Sequence, residues 1–185
     1  MENIWFTSDF HFGHAQSFIY EKRGFYSVEE MNESIVDNWN KMVRPQDIVY
    51  CLGDICLGVK DQSIKYFNRL NGEFYAIWGN HDTPKFLDDN AKICDSWYAN
   101  IITYKKINIY LSHYPTITSN FDDKGFKRHV INFHGHTHQV NNWMFSDNPF
   151  IYHVGMDSHQ CKPVNLEEAI KEIHMKWDKL GFYKE

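Results

Sequence analysis

The sequence lacks the features of a membrane or exported protein. No apolar run approaches the roughly 20 residues that a membrane-spanning helix needs, and residues 1–4 are not a basic region leading into an apolar one, so we expect no signal peptide. Internal repeats, low-complexity tracts and interdomain linkers are also absent, and 185 residues suit one domain with a full core. We therefore expect a cytoplasmic protein with a single domain over residues 1–185.

The sequence contains few cysteines, and its basic residues are fewer than its acidic ones. The four cysteines form no Cys-x-x-Cys pair, which favours reduced, mostly buried thiols. The 19 lysine and arginine residues are outnumbered by 24 aspartate and glutamate residues, and the net charge of -5 argues against a broad electrostatic surface for nucleic acid. A small phosphorylated substrate stays compatible with this charge, because bound cations can reverse the local sign of a site. The sequence predicts no oligomeric state.

The hydrophobic pattern predicts alternating strands and helices. Apolar and β-branched runs predict strands at residues 4–8, 47–52, 74–78, 101–104, 107–111, 130–133 and 150–154. Helical spacing and capping residues predict helices at 27–43, 61–70 and 165–180. We predict a short helix and a loop at 85–97, and an exposed loop at 116–128. This order is typical of an α/β layer, followed here by a second, more antiparallel sheet.

Histidine is abundant by contrast, with eleven residues, and several lie beside aspartate or glycine at the ends of predicted strands. Gly79-Asn80-His81-Asp82 follows the predicted strand 74–78, where a glycine allows a sharp turn. Similar polar blocks follow four other strands. Because functional sites gather at the carboxyl ends of strands in α/β sheets, we expect these blocks to converge. Taken alone, residues 79–82 would also suit a surface turn.

The candidate metal ligands in these blocks are oxygen and nitrogen donors without a thiolate: Asp9, His11, Asp54, Asn80, His113, His136 and His138. This mixture suits Mn, Fe, Zn or Ni better than an all-oxygen Mg or Ca site. Seven donors exceed the need of one ion but suit two ions that share a carboxylate. We predict two divalent ions, with Mn first and Fe, Zn, Ni or Mg as alternatives. On an extended backbone, Asp9-x-His11 and His136-x-His138 would each present both donors on one side.

In this order, and across most of the chain, the blocks resemble the signature of calcineurin-like metallophosphoesterases, namely Asp9-x-His11, Gly53-Asp54, Gly79-Asn80-His81-Asp82, His113 and Gly135-His136-x-His138. The resemblance implies an α/β fold, a β-sandwich of two mixed sheets flanked by helices in four α/β/β/α layers. Residues 6–14 and 154–157 look most like the small stand-alone members found in bacteria and phages.

The resemblance also implies a role for each residue. One metal ion would be held by Asp9, His11, Asp54 and His138, and the other by Asp54, Asn80, His113 and His136. A hydroxide between the ions would attack phosphorus in line, His81 would protonate the leaving oxygen as general acid, and Asp82 would orient His81. The implied activity is hydrolysis of a nucleotide-type phosphodiester. A phosphomonoesterase and a scaffold without turnover are the alternatives.

Two departures from the family separate this chain from the protein serine/threonine phosphatases. Gly53-Asp54 is not followed by the arginine with which those enzymes hold phosphate, and Asp82 stands where they have glutamate. Both differences argue against protein phosphatase specificity. The large nuclease members carry extra domains that 185 residues cannot hold.

Candidate substrate contacts lie near these blocks. We predict that His14, Arg23 and Arg128 bind the substrate phosphate, although an exposed arginine is more often a solvated charge. Tyr114 and Phe12 are able to stack on a base, although aromatic side chains beside strands more often belong to a core. The expected partner is therefore a small, nucleotide-like phosphorylated molecule.

Overall fold

Two mixed β-sheets form the framework of the protein in its computed structural model, which describes residues 2–58, 60–83, 86–87, 90–118, 129–145 and 147–182. The first sheet contains β1 (Ile4–Thr7), β2 (Ile48–Cys51), β3 (Glu73–Ile77), β4 (Ile93–Trp97) and β9 (Val164–Asn165), in the order β4-β3-β2-β1-β9. The second contains β5 (Ala99–Tyr104), β6 (Ile107–Ser112), β7 (Val130–His134) and β8 (Ile151–His153), in the order β5-β6-β7-β8. The predicted pair of mixed sheets flanked by helices is confirmed.

Parallel pairing dominates both sheets. Strands β1 to β4 run parallel, and β9 is antiparallel to β1. In the second sheet, β5 and β6 form an antiparallel hairpin, whereas β7 is parallel to β6 and β8 is parallel to β7. The second sheet is still the more antiparallel of the two, as predicted, because the long β5–β6 hairpin makes up nearly half of its paired positions. Residues 113–129 and 135–150 are long enough for the crossover connections of about a dozen residues that parallel strands require.

Capping residues fix the two long helices. The described helices are α1 (Ser17–Tyr20), α2 (Val28–Met42), α3 (Lys60–Asn68) and α4 (Leu166–Leu180). Ser27 Oγ accepts a hydrogen bond from the Glu30 amide at 3.1 Å at the start of α2. Asn165 Oδ1 accepts one from the Glu167 amide at 3.0 Å at the start of α4. Such caps stabilise a helix by ~1 kcal/mol, and the helices predicted at 27–43, 61–70 and 165–180 are confirmed.

The hydrophobic pattern of the sequence did not reveal elements that are short or polar. Residues 93–97, predicted to be a short helix and loop, form the edge strand β4, whose partly exposed side chains show no clear alternation. Helix α1 and strand β9 were not predicted, because four and two residues are too few to show a period. Residues 119–128 of the predicted loop at 116–128 lie outside the described residues.

Two cores hold the layers together. On the outer face of the first sheet, Trp39 of α2 stacks on Phe74 of β3 with ring centroids 5.8 Å apart. Between the sheets, Phe6 of β1 meets Phe133 of β7 edge-on at 4.8 Å, and Trp177 of α4 packs into the same cluster. Each such buried side chain contributes roughly 1.5–3 kcal/mol. All four cysteines are free thiols, and three of them are buried, as predicted.

The fold brings the ends of five strands together. Strands β1, β2 and β3 are parallel, so their carboxyl ends lie at one edge of the first sheet, and β6 and β7 behave likewise in the second. A parallel bridge between Ser8 and Gly155 joins the loops that follow β1 and β8. Within the described part of the chain, no helix has the length and apolar character that crossing a membrane demands.

Candidate metal centre

A first group of donors lies beyond the end of β1. His11 Nε2 is 3.0 Å from His138 Nε2, 3.8 Å from Asp9 Oδ1 and 3.7 Å from Asp54 Oδ2. His138 Nε2 is 3.9 Å from Asp9 Oδ1. The two carboxylates and His11 are almost fully buried, and His138 is partly exposed. The structure therefore brings together the four residues predicted to hold one ion.

A second group of donors shares Asp54 with the first. His113 Nε2 lies 3.5 Å from Asp54 Oδ2 and 3.0 Å from Asn80 Oδ1. His136 Nδ1 lies 2.9 Å from the same Asn80 oxygen. Asp54 Oδ2 thus faces an imidazole of each group. All seven predicted ligands belong to one continuous cluster.

Hydrogen bonds on the far side of two rings decide which nitrogens present lone pairs. His113 Nδ1 donates to the Leu52 carbonyl at 2.7 Å, and His138 Nδ1 donates to Asp157 Oδ2 at 2.8 Å. In the neutral rings, Nε2 is therefore unprotonated and faces other acceptors, the oxygens of Asn80, Asp54 and Asp9. Facing lone pairs repel unless a proton or a cation lies between them. The donor set therefore fits divalent metal ions.

The backbone of the cluster is strained. Five of the seven candidate ligands have left-handed φ values, which are 58° for Asp9, 51° for His11, 55° for Asp54, 68° for His136 and 49° for His138. The extended backbone predicted for Asp9-x-His11 and His136-x-His138 was wrong, because both blocks lie in loops beyond β1 and β7. Each such residue costs of order 1–3 kcal/mol, and strain of this kind concentrates at functional sites. The usable sequence signal is that Asp, Asn and His adopt this region more readily than most residues.

Two glycines allow the loops to approach each other. A Cβ on Gly79 would collide with Asp54, and a Cβ on Gly135 would lie 2.5 Å from Asp9 Oδ2. Gly79 does not have a positive φ, so its role is close approach rather than the sharp turn predicted from the sequence. Any side chain at these positions would push the carboxylates out of the cluster.

Asp82 holds the loops after β2 and β3 together. Its carboxylate accepts hydrogen bonds from the amides of Asp54 at 2.8 Å, Gly79 at 2.9 Å and Ile55 at 3.1 Å. No hydrogen bond joins the side chains of Asp82 and His81, both of which are described. Burial raises the pKa of Asp82, and these three bonds oppose the rise. The structure thus shows a structural role for Asp82, and its predicted catalytic role stays a prediction.

His81 and His14 stand beside the first donor group. The His81 ring is exposed and its centroid is 5.7 Å from that of His11, while its amide donates to Asp54 Oδ1 at 2.9 Å. The His14 ring lies 5.3 Å from that of His11. Burial and the nearby His81 lower the pKa of His14. Both rings are placed to reach a molecule bound at the cluster, and their roles stay predictions.

Asp157 supports His138, and sequence reasoning gave it no role. Its Oδ2 accepts from His138 Nδ1 at 2.8 Å and from Arg23 Nη2 at 2.9 Å, and its Oδ1 accepts from Arg23 Nε at 3.1 Å. Burial opposes ionisation, but these bonds hold the pKa of Asp157 well below its usual range. A carboxylate behind a ligating imidazole fixes the ring and raises its basicity. Its presence in the closing block 154–157 was the available signal.

The structure describes one of the two arginines that we predicted to bind substrate, and that one is buried. The Arg23 side chain is 1% exposed, and it also donates to the main-chain carbonyls of Asp9 at 2.7 Å and Phe10 at 3.0 Å. A phosphate contact by Arg23 is therefore not supported, since its donors are engaged by Asp157 and the backbone. Arg128 lies outside the described residues.

Several pKa shifts in the cluster favour the metal-binding forms, and His113 is an exception, because, against the effect of burial, Asp54 and Asp9 raise its pKa. Burial and the neighbouring His138 lower the pKa of His11 to about 2. Burial disfavours the ionised form of Asp54, but the neighbouring His113, when protonated, and a hydrogen bond from the His81 amide lower its pKa to about 2. Burial raises the pKa of Asp9, and a cation beside it would favour the carboxylate. Neutral imidazoles and ionised carboxylates are the forms that bind metal.

A sandwich of two mixed sheets that gathers Asp, Asn and His donors at its strand ends is the architecture of a metal-dependent phosphoesterase. The profile of the calcineurin-like phosphoesterase superfamily domain matches residues 3–152, and the chain belongs to this family. The resemblance found in the five sequence blocks is thereby confirmed, and the family uses divalent metal ions.

Relatives of similar size occur in archaea, phages and bacteria. The chain is 36% identical over 184 residues to an uncharacterized protein of Methanocaldococcus jannaschii, covering 94% of this chain and 92% of that one. It is 28% identical over 198 residues to the Gene 66 protein of Mycobacterium phage D29, covering 94% and 98%. A crystal structure of a protein of unknown function from Aquifex aeolicus matches with a TM-score of 0.71 and 25% identity, covering 93% and 100%. This chain is thus similar to small members of the family.

Proposed function

We propose that the protein is a two-metal-dependent phosphodiesterase that hydrolyses a small, nucleotide-type phosphodiester. The observation that carries the proposal is the position of Asp54 Oδ2, 3.7 Å from His11 Nε2 and 3.5 Å from His113 Nε2. A carboxylate shared between two donor groups is what a two-ion site requires. One ion would bind Asp9, His11, Asp54 and His138, and the other would bind Asp54, Asn80, His113 and His136.

The residues of the chain supply binding, orientation and a proton. When bound, the two ions would activate water and neutralise charge on the phosphoryl oxygens during in-line displacement. His113 and His138 are held in one tautomer by Leu52 and Asp157, so their lone pairs stay aimed at the cluster. His81, exposed and outside the ligand set, would protonate the leaving oxygen as general acid. His14 would contact the phosphate from the same side.

The remaining assignments follow from the donor set and the charge. Manganese is the proposed activating ion, because the ligands mix nitrogen and oxygen. The proposed substrate is small, since a net charge of -5 offers little attraction for long nucleic acid. We also propose a cytoplasmic location and a single domain over residues 1–185.

The test combines metal content with substrate choice. The purified protein is stripped of metal and reloaded with Mn, Fe, Zn, Ni or Mg, and bound metal is measured by mass spectrometry. Rates are then compared on bis-p-nitrophenyl phosphate and p-nitrophenyl phosphate. We expect two ions per chain and faster hydrolysis of the diester. One ion per chain would refute the two-metal site, and a faster monoester would make the protein a phosphomonoesterase.

A further inference from the structure

Two exposed aromatic side chains border the candidate metal centre, one beside each donor group. Tyr114 is 51% exposed, and its ring lies 5.2 Å from His113 and 4.6 Å from His136 of the second group. Phe18 is 64% exposed, and its ring lies 5.5 Å from His14, which in turn contacts His11 of the first group. One exposed ring therefore contacts the second donor group directly, and the other is joined to the first group through the His14 ring.

These rings differ from the aromatic side chains of the core. Phe12, which also follows β1, is fully buried and stacks on Phe10 at 5.0 Å, so it has no surface to offer a ligand. Tyr98 is also 79% exposed, but its recorded ring contact is with Trp78 and not with a candidate ligand. Ligand-binding sites commonly combine aromatic side chains with a few convergent polar groups.

We propose that Tyr114 and Phe18 stack on planar rings attached to the two sides of the phosphorus, so the preferred substrate is a linear phosphodiester between two nucleosides. This inference rests on the proposed phosphodiesterase function. Stacking on an aromatic side chain tolerates any base, because every base has a π-face. A cyclic nucleotide carries one base and would occupy one of the two platforms. The net charge of -5 favours a short dinucleotide over a long strand.

Two synthetic diesters that differ in the second aromatic ring of the substrate measure the contribution of that ring to binding. Bis-p-nitrophenyl phosphate and methyl p-nitrophenyl phosphate release the same nitrophenolate, but they carry two rings and one ring. We expect Tyr114→Ala and Phe18→Ala each to raise KM for the two-ring ester by roughly 5- to 100-fold, the usual effect of one stacking contact. On the one-ring ester, only one of the two variants should have this effect. Tyr114→Phe keeps the ring and should retain the preference for the two-ring ester over the one-ring ester that Tyr114→Ala loses.

The binding affinities of natural ligands test the stacking contacts without a measurement of turnover. Calorimetry would compare the binding of adenosine monophosphate and ribose 5-phosphate, which differ by the base. The wild type should bind the nucleotide more tightly, and Tyr114→Ala or Phe18→Ala should reduce this preference. Tyr26→Ala is the matched control, because Tyr26 is 92% exposed and has no ring contact with the candidate ligands. Metal content and thermal melting must match the wild type in every variant.

The outcomes separate the two proposals. If the wild type hydrolyses neither diester with any of the metals, the phosphodiesterase function fails. If it hydrolyses both, yet neither Tyr114→Ala nor Phe18→Ala changes the ratio of kcat/KM between two-ring and one-ring esters, the stacking platforms are refuted and the function stands. Faster hydrolysis of cyclic AMP than of the linear dinucleotide of two adenosines would also overturn the inference.

Discussion

Asp54 is the residue on which both donor groups depend. Its Oδ1 accepts from the His81 amide at 2.9 Å, so Oδ2 alone faces His11 and His113. Asp54→Asn should lower kcat/KM by more than ~100-fold, the upper end for partners outside the ligand set, because it weakens both ions. Asn80→Ala, which removes a proposed ligand of one ion, should lower kcat/KM by less and leave the other proposed ion bound. Full activity with two bound metals in Asp54→Asn would refute the shared role.

His81, the proposed general acid outside the proposed ligand set, allows proton transfer to be tested apart from metal binding. His81→Ala should lower turnover by ~10²- to 10⁴-fold, the usual effect of a placed proton donor, while metal content stays intact. Turnover of aryl esters should fall by less than turnover of alkyl or ribosyl esters, because nitrophenolate is a good leaving group that needs no proton. His14→Ala is the comparison variant and should raise KM rather than lower kcat. Equal losses on good and poor leaving groups would remove His81 from the role of general acid.

Asp157 governs how firmly His138 is held. Asp157→Asn should weaken metal affinity by roughly 10- to 100-fold, as loss of a carboxylate behind a ligating histidine does, and calorimetric metal titration measures this. The variant also leaves the buried Arg23 without its charge partner, so thermal melting is recorded in parallel. Asp157→Glu restores the carboxylate and should recover part of the affinity. Unchanged affinity in a folded Asp157→Asn variant would contradict the supporting role.

At the level of secondary-structure elements, the sequence predicted the strands that have a clear local hydrophobic pattern. Strands β1, β2 and β3 are largely apolar runs, and Gly, Asp, Asn or His follows each of them within two residues, so both the strands and the polar loops after them were visible in the sequence. Strand β4 was missed because an edge strand has no buried face to impose alternation. The link from Asp157 to His138 spans 19 residues and arises only when the loops meet. The left-handed backbone was missed because a local pattern does not reveal strain that the surrounding fold supports.

Asp47 ties two elements together and makes their junction sensitive to acid. Its buried carboxylate accepts from the Asn3 amide at 3.0 Å, Trp5 Nε1 at 3.1 Å and Arg44 Nη2 at 2.7 Å, which joins β1 to the turn before β2. Burial opposes ionisation, but these bonds hold the pKa of Asp47 well below its usual range. Its stabilising effect is therefore complete above the unfolded-state pKa near 4 and is lost as the pH falls below it.

Replacing Asp47 should make the free energy of unfolding less dependent on pH in the acidic range. Asp47→Asn should lower the free energy of unfolding by about 2 kcal/mol or more at pH 7, since hydrogen bonds to a charged group contribute ~1.5–3 kcal/mol. The difference from the wild type should shrink toward pH 3. Urea unfolding across this range measures both effects. Asp37→Asn on the exposed face of α2 is the control and should change neither. A constant difference at all pH values would contradict the assignment to the carboxylate charge.

At the scale of the whole molecule, the candidate metal centre joins the two sheets. Its ligands come from loops after β1, β2 and β3 in the first sheet and after β6 and β7 in the second. Ions bound there would link these loops and remove the repulsion between facing lone pairs at His113 Nε2 and Asn80 Oδ1. Metal binding and global stability should therefore be coupled.

Chelation should lower the melting temperature of the entire domain. At a free metal concentration of 100 Kd, one ion stabilises the native state by about 2.7 kcal/mol, which corresponds to roughly 5–10 °C for a chain of this size. Calorimetry over a series of manganese concentrations measures the slope of stability against the logarithm of concentration. Two ions should give twice the slope of one, and Asp54→Asn should reduce it because both ions depend on that carboxylate. A melting temperature that does not respond to metal would mean that the loops hold their strained backbone without help from an ion, and the coupling between centre and fold would be refuted.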